Sequence, residues 1–419
     1  MDEKKRKLWN KNFFLLWQGQ LVSVLGDALY TIALNFFVLD VTGSTAIMGT
    51  VMALVTVPRI LCGPLSGVVV DRSDRKKLII LGDVMRGVSI LLLAFAANRE
   101  IIEIWMILAV AVVSGLCSSF FNPAIESVLP DIVSPEQMIR ANSTYQIATT
   151  GADILGQSVG GVLYVLVGAP AMFLLDGISY LFSAATETWI DVPKVERKNL
   201  DVTFWEDFKD GIRFIMQYGG LVRCIITAFF FNFLFGMIRV LIIPWFADSA
   251  HLGMAKYGIL NGVQSVGFMT GMLILSAVTI RTKHKYRVYI MAIFAFIASI
   301  GAGAFFNRYL LILVFFFLAF GFQFVFNTIL NSTIMLKVPA DKRGKVSATK
   351  TTLGMAVSPF GNFAGGVLCE FIDPRILIMA NAAIAALVVA AFVLHPEVKR
   401  FLSDDEIYEV QKMDKEELL

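Results

Sequence analysis

Long apolar runs, such as residues 101–129 and 287–336, broken mainly by Asn, Gln, Gly and short charged clusters, constrain this chain more than any motif. A bilayer core about 30 Å thick is crossed by about 20 helical residues, and the runs have that length. An outer-membrane barrel would instead need alternating segments of about 10 residues, and no such alternation occurs. With 57% hydrophobic and 16% charged residues in 419, the chain also carries more apolar side chain than a soluble domain can hide. The reading is an all-α polytopic membrane protein.

Twelve spans are predicted: 13–39, 45–70, 78–98, 103–129, 141–168, 170–190, 221–247, 256–279, 287–306, 309–336, 346–371 and 374–394. Lys and Arg gather on one side, in the N-terminal tail, 71–77, 191–219, 280–287, 337–345 and the C-terminal tail; the other side holds only Arg99, Lys256, Arg308 and Arg375. The positive-inside rule then puts both termini in the cytoplasm and the protein in the inner (plasma) membrane. The first apolar segment is too long for a signal peptide, so it reads as a retained helix.

Several function classes drop out. Cys62, Cys117, Cys224 and Cys369 lie in or beside spans without C-x-x-C spacing, and the three histidines are scattered, so no metal or cofactor is implied. The net charge of +3 sits in membrane-proximal loops, where it suits anionic lipid rather than nucleic acid. No G-x-x-x-x-G-K-S/T loop is present, which disfavours ATP, and nothing points to an enzyme.

A repeat organises the chain. "LGQSVGGVL" at 155–163 and "FGNFAGGVL" at 360–368 share a register 205 residues apart, and the same offset pairs "FN" at 121–122 with "FN" at 326–327. Two related six-helix halves follow, 1–190 and 220–396, with a linker at 191–219 and a tail at 397–419. Gly156, Gly160 and Gly161, and their partners Gly361, Gly365 and Gly366, form close-packing surfaces. In the linker, "FWEDFKDGIRFIMQY" places Phe204, Phe208, Ile212, Ile215 and Tyr218 on one helical side, predicting an amphipathic helix on the cytoplasmic membrane face.

"GPLSGVVVDRSDRKKLI" at 63–79 is the other marked stretch. Gly63 and Gly67 make a G-x-x-x-G step for close helix approach. Asp71 is placed to meet an opposing helix N-terminus or basic group, while Arg72, Arg75, Lys76 and Lys77 anchor the turn among lipid phosphates. Such a loop would serve as a conformational switch between halves.

The twelve spans, the linker and "GVVVDRSDRKK" resemble the major facilitator superfamily, whose second-to-third-helix loop reads G-x-x-x-D-R/K-x-G-R/K-R/K. Gly67, Asp71, Arg72, Arg75 and Lys76 match, and Asp74 replaces a glycine that takes a left-handed turn. "GQLVSVLGDALYTIAL" at 19–34, "GDVMRG" at 82–87, "FFNPAIESVLPDIV" at 120–133 and "DGISYLFSA" at 176–184 more narrowly resemble the proton-coupled drug exporters that include the macrolide efflux proteins. The resemblance implies twelve transmembrane helices in two halves, with the first, fourth, seventh and tenth lining a central cavity. One departure is Gln157, which stands where antiporters carry a kink-forming proline.

Polar residues inside the spans carry the chemistry, because leaving them in lipid is costly. Gln20, Ser23, Asp27 and Thr31, with Tyr30 beside them, stripe the first helix; Asn142, Gln146, Thr149, Asp153 and Gln157 stripe the fifth. Asp27, Asp153 and Glu126 are the candidates for proton coupling. Gln20, Tyr30, Asn122, Gln146, Asn232, Arg239, Gln323 and Asn327 are the candidates for the substrate cavity. Arg59, set to meet Asp27 at one depth, joins Asp83, Arg86 and Asp176 as buried structural charges. Phenylalanines on the cavity helices, with one or two carboxylates, favour a bulky lipophilic cation such as a macrolide, exported against protons by a monomer among membrane lipids. A lysophospholipid translocator, with Arg59 or Arg239 meeting phosphate, is the rival within this fold. A membrane scaffold or receptor without transport is the rival of another class, though it would not need polar stripes at mid-depth.

Overall fold

Apolar sequence in lipid satisfies its backbone groups within helices, and the computed structural model is helical in this way across the residues it describes, 8–192, 204–249, 251–278 and 280–403. The helices are α1 Lys11–Thr42, α2 Thr45–Arg72, α3 Arg75–Asn98, α4 Ile104–Ile132, α5 Met138–Glu187, α6 Phe204–Met216, α7 Gly219–Asp248, α8 Met254–Ala277, α9 Thr282–Phe305, α10 Tyr309–Lys337, α11 Ala340–Cys369, α12 Pro374–Phe392 and α13 Pro396–Ser403. Among the described residues, ten are long and apolar enough to cross a membrane. Two of the predicted spans, 141–168 and 170–190, run together in α5, where Gly168 (φ 75°, ψ 169°) followed by Pro170 breaks the helix into two arms. The basic N-tail residues 4–7, the linker at 193–203 and the tail beyond 403 lie outside the described residues.

Helix ends are set by local chemistry. Asn10 caps α1 by accepting from Phe13 N at 2.9 Å, and Gly43 closes it in the left-handed region (φ 62°). Asp74 caps α3, accepting from Lys77 N at 3.3 Å with φ −70°. The left-handed turn expected at this position is therefore absent; a carboxylate is used where the sequence demanded an N-cap.

The chain forms two compact units. Unit 1 comprises Met1–Leu200 and Phe246–Gly262, and unit 2 comprises Asp201–Trp245 and Val263–Leu419. In unit 1, α1 packs along both arms of α5, and α3 packs on the second arm and on α4. A Cβ on Gly156 would stand 2.6 Å from Ala28 Cβ, and one on Gly160 would stand 3.0 Å from Ile32, so α1 and the first arm touch only because these side chains are missing. Gly161 seats Met254 O and Gly258 of the same unit. In unit 2, α11 meets α7 in the same way: Gly361 lies against Phe233 O, and a Cβ on Gly365 would stand 2.9 Å from Met237 Cα. Gly366 is buried beside them. Both the glycines and their partners are 205 residues apart, since Ala28 answers to Phe233 and Ile32 to Met237. Helix bounds agree as well: α4 and α10 start and end at that offset, and so do the ends of α5 and α12.

The described part of the linker is the helix α6. α6 packs on α11, with Ile215 buried and Gly211 set against Thr349 and Lys345 O, while Ile212 and Met216 are exposed. Asp210 receives a 2.8 Å hydrogen bond from Lys345 Nζ.

Candidate functional site

The ionisable residues of the spans collect in unit 1, between α1, α3 and the second arm of α5. Gly19 and Gly26 allow the approach: a Cβ on Gly19 would stand 3.0 Å from Ser183 Oγ, and one on Gly26 would stand 2.6 Å from Asp176 Oδ1. Asp83, Asp176 and Glu187 are all 1% exposed or less. Asp176 accepts from its own-helix Ser179 Oγ at 3.3 Å. Glu187 Oε1 accepts from Gln20 Nε2 at 3.4 Å and Ser183 Oγ at 3.3 Å, and Gln20 Oε1 in turn accepts from Tyr145 OH at 3.3 Å.

Arg86 is the guanidinium at the centre. It lies over the rings of Phe121 and Tyr180, at 4.7 and 5.4 Å, and its Nη1 donates to Tyr180 OH at 3.5 Å. Its Nε and Nη2, both Asp83 oxygens, Asp176 Oδ2 and Glu187 Oε2 are buried without a hydrogen-bond partner. The expected Asp83–Arg86 support is thus electrostatic neighbourhood rather than a hydrogen-bonded pair. Three residues along one helix put the two groups on one face, but the guanidinium is drawn to the aromatic rings instead.

Asp27, in contrast, is exposed, at the middle of α1 and so about 24 Å from either end. Arg86, Tyr180, Arg59 and Asp153 are its electrostatic neighbours. Arg59 is also exposed, and it neighbours Asp27 electrostatically without forming an ion pair with it. Asp153 is half-buried and held by Gln157 Nε2 at 2.9 Å to each carboxylate oxygen. Glu126 is exposed.

The cavity candidates divide. Asn122, Gln146, Asn232, Arg239 and Asn327 are exposed and Gln323 is half-buried. Gln20 and Tyr30 are closed into unit 1, where Tyr30 packs on Phe173 with ring centroids 5.5 Å apart. They hold helices together and are not on an open wall.

The charged loop is tied down inside unit 1. Arg75, only 8% exposed, pairs with Asp131 at 2.6 Å, and Lys76 Nζ donates to Thr188 O at 2.6 Å. Both therefore join helix ends instead of reaching lipid phosphate as expected. Gly63 is exposed, and a Cβ there would meet open space among the described residues. Gly67, Asp71 and Arg72 lie in the last turns of α2, and their side chains are outside the described residues.

Sequence reasoning passed over Glu187, Tyr180 and Ser183. The signal was present: Asp176, Tyr180, Ser183 and Glu187 follow the three-to-four-residue spacing that marked the first helix. Asp131 was missed because its partner is 56 residues away, a distance that no local period reports.

The profile of the Major Facilitator Superfamily matches residues 16–361. The chain belongs to that superfamily. As a superfamily member it is a multi-pass secondary transporter and not an enzyme. It is 24% identical to macrolide efflux protein A of Streptococcus pyogenes over 276 residues, 64% of this chain and 68% of that protein. It is 23% identical to the uncharacterized MFS-type transporter YfmI of Bacillus subtilis over 91% of this chain and 96% of that protein. Among solved structures, a bacterial homologue of the iron transporter ferroportin, inward-facing, aligns with TM-score 0.70 at 15% identity, covering 91% of this chain and 98% of that one. A bacterial homologue of the lysosomal transporter Spinster aligns with TM-score 0.69 at 13% identity, over 93% and 96%. These likenesses are of fold.

Proposed function

We propose that this transporter exports bulky lipophilic cations of the macrolide type by proton antiport with alternating access. Asp27 carries the reading. It is a carboxylate at the middle of an apolar helix, open on one side and beside Arg86 and Tyr180, where it can hold a cationic substrate or a proton and exchange one for the other. The likeness to macrolide efflux protein A supports the substrate class. In this reading twelve helices form halves 1–190 and 220–396, both termini face the cytoplasm of the inner membrane, and the Gly67–Asp71–Arg72 turn switches between states. Exposed Arg59 and Arg239 favour a second reading, in which a lysophospholipid phosphate is the group carried.

Purified protein in liposomes, given a proton gradient and either a macrolide, an ethidium-like cation or a lysophospholipid, tests both readings. Asp27→Asn is expected to abolish uphill macrolide movement while leaving exchange without a gradient. Full uphill transport by Asp27→Asn would remove Asp27 as coupler, and gradient-driven movement of the lysophospholipid alone would favour the second reading.

A further inference from the structure

The closed part of unit 1 holds three carboxylates, Asp83, Asp176 and Glu187, and one guanidinium, Arg86. Burying an unpaired carboxylate costs several kcal/mol or more, and the usual remedy is a bound proton or cation. Among the described residues no group of acidic, His or Cys side chains is arranged to hold a metal ion. A proton meets the same need, and the hydrogen bonds indicate where it sits.

Asp83 and Glu187 face the same hydroxyl. Ser183 Oγ is 3.3 Å from Glu187 Oε1 and also neighbours Asp83. A hydroxyl has a single proton to donate, so it cannot serve both acids as anions. Gln20 Nε2 gives Glu187 Oε1 a second donor, yet Glu187 Oε2 and both Asp83 oxygens have none. The charged and titratable groups facing the pair are Arg86 of α3, Asp27 of α1, Cys117 of α4, Tyr145 of the first arm of α5, and Asp176 and Tyr180 of its second arm. Only Arg86 among them is a cation, and it is engaged with Phe121 and Tyr180. Packing alone does not require an acid at the end of this helix, because the corresponding end of α12 in unit 2 is Phe392.

We propose that Asp83 and Glu187, set about Ser183, form a proton-binding carboxyl pair separate from Asp27. The pair takes up one proton and releases it when either acid gains water or a cation as partner. Its use in transport rests on the antiport reading above; its occupancy does not.

Infrared spectroscopy of the full chain in lipid nanodiscs at about pH 7 tests the occupancy directly. In an Asp176→Asn background, which removes the third buried carboxyl, a protonated-carboxyl C=O band is expected, lost in Glu187→Gln and in Asp83→Asn and kept in Asp27→Asn. If either variant fails to fold, Glu187→Asp and Ser183→Ala take its place, and each should displace the band. A carboxyl region unchanged by all of these substitutions would overturn the site. Transport by the same preparations separates the two ideas. A band lost in the variants, with no gradient-driven transport by the parent, retains the pair and removes antiport; gradient-driven transport with no band removes the pair alone.

Discussion

At positions 205 residues apart, unit 1 has Asp27, Glu126, Asp153, Asp176 and Glu187 where unit 2 has Asn232, Asn331, Ser358, Asn381 and Phe392. The scaffold at these places is shared, glycine contacts included, but the charge is not. An amide brings its own donors: Asn381 Nδ2 reaches Leu234 O on α7 at 3.0 Å, and Asn232 Nδ2 reaches Ala228 O at 2.8 Å. A carboxylate only accepts, so at the same helix position it needs a donor, a cation or a proton. In unit 2 the corresponding helices pack without acids at these positions.

The ion pairs differ in the same sense, and breaking them gives the largest expected contrast. Arg75–Asp131 of unit 1 has side chains 9% and 8% exposed, whereas Arg223–Glu397 of unit 2, at 2.8 Å, has 30% and 45%. Arg75→Ala removes a close partner of a buried carboxylate and should cost up to about 3–5 kcal/mol; Arg223→Ala should change stability little, because water screens what remains. Buried Cys117 in unit 1 and Cys224 in unit 2 report the two units separately through thiol labelling on heating, with Cys62 and Cys369 replaced by serine. Equal losses for the two arginine variants would erase the contrast.

The next effect tests what the units have in common. Gly156→Leu and Gly361→Leu should each destabilise their own unit by about 1–3 kcal/mol through overpacking against α1 and α7. The cost at Gly361 should be the larger, since its neighbour is the Phe233 backbone rather than the Ala28 side chain. A neutral result at either glycine in the same labelling assay would break the equivalence of the two contacts.

The smallest effect belongs to α6. The hydrogen bond and charge of Lys345 hold the Asp210 carboxyl below its ordinary value of 3.8, with Lys342 and Arg213 adding to the effect. Because the folded value is depressed, the contribution is present at neutral pH and lost as pH falls through that depressed value. A fluorophore on Met216→Cys, in a background with the native cysteines replaced, should gain mobility modestly on acidification. With Asp210→Asn added, it should already be mobile at neutral pH. An acid response that persists in that variant would assign the change to another group.

Local signals carried a good deal of this protein. The glycine register and the FN pairs announced contacts that recur in both units, because small residues at helical spacing have one physical use between packed helices. The polar stripe on α1 announced Asp27. The same period announced Tyr180, Ser183 and Glu187, although a span ending near "ETW" reads as a helix reaching water.

Length, apolar runs and charged loops by themselves determined a helical, membrane-spanning chain with an internal repeat, since backbone satisfaction in lipid leaves few alternatives and repeated packing needs repeated small residues. Only the tertiary structure decided which charges are closed away and which are open. Arg75 turned inward to Asp131, Arg59 neighboured Asp27 without an ion pair, and Asp83 came beside the Ser183 that donates to Glu187. Each outcome depends on neighbours far along the chain, and the energy of a charge in lipid is set by those neighbours rather than by the residue itself.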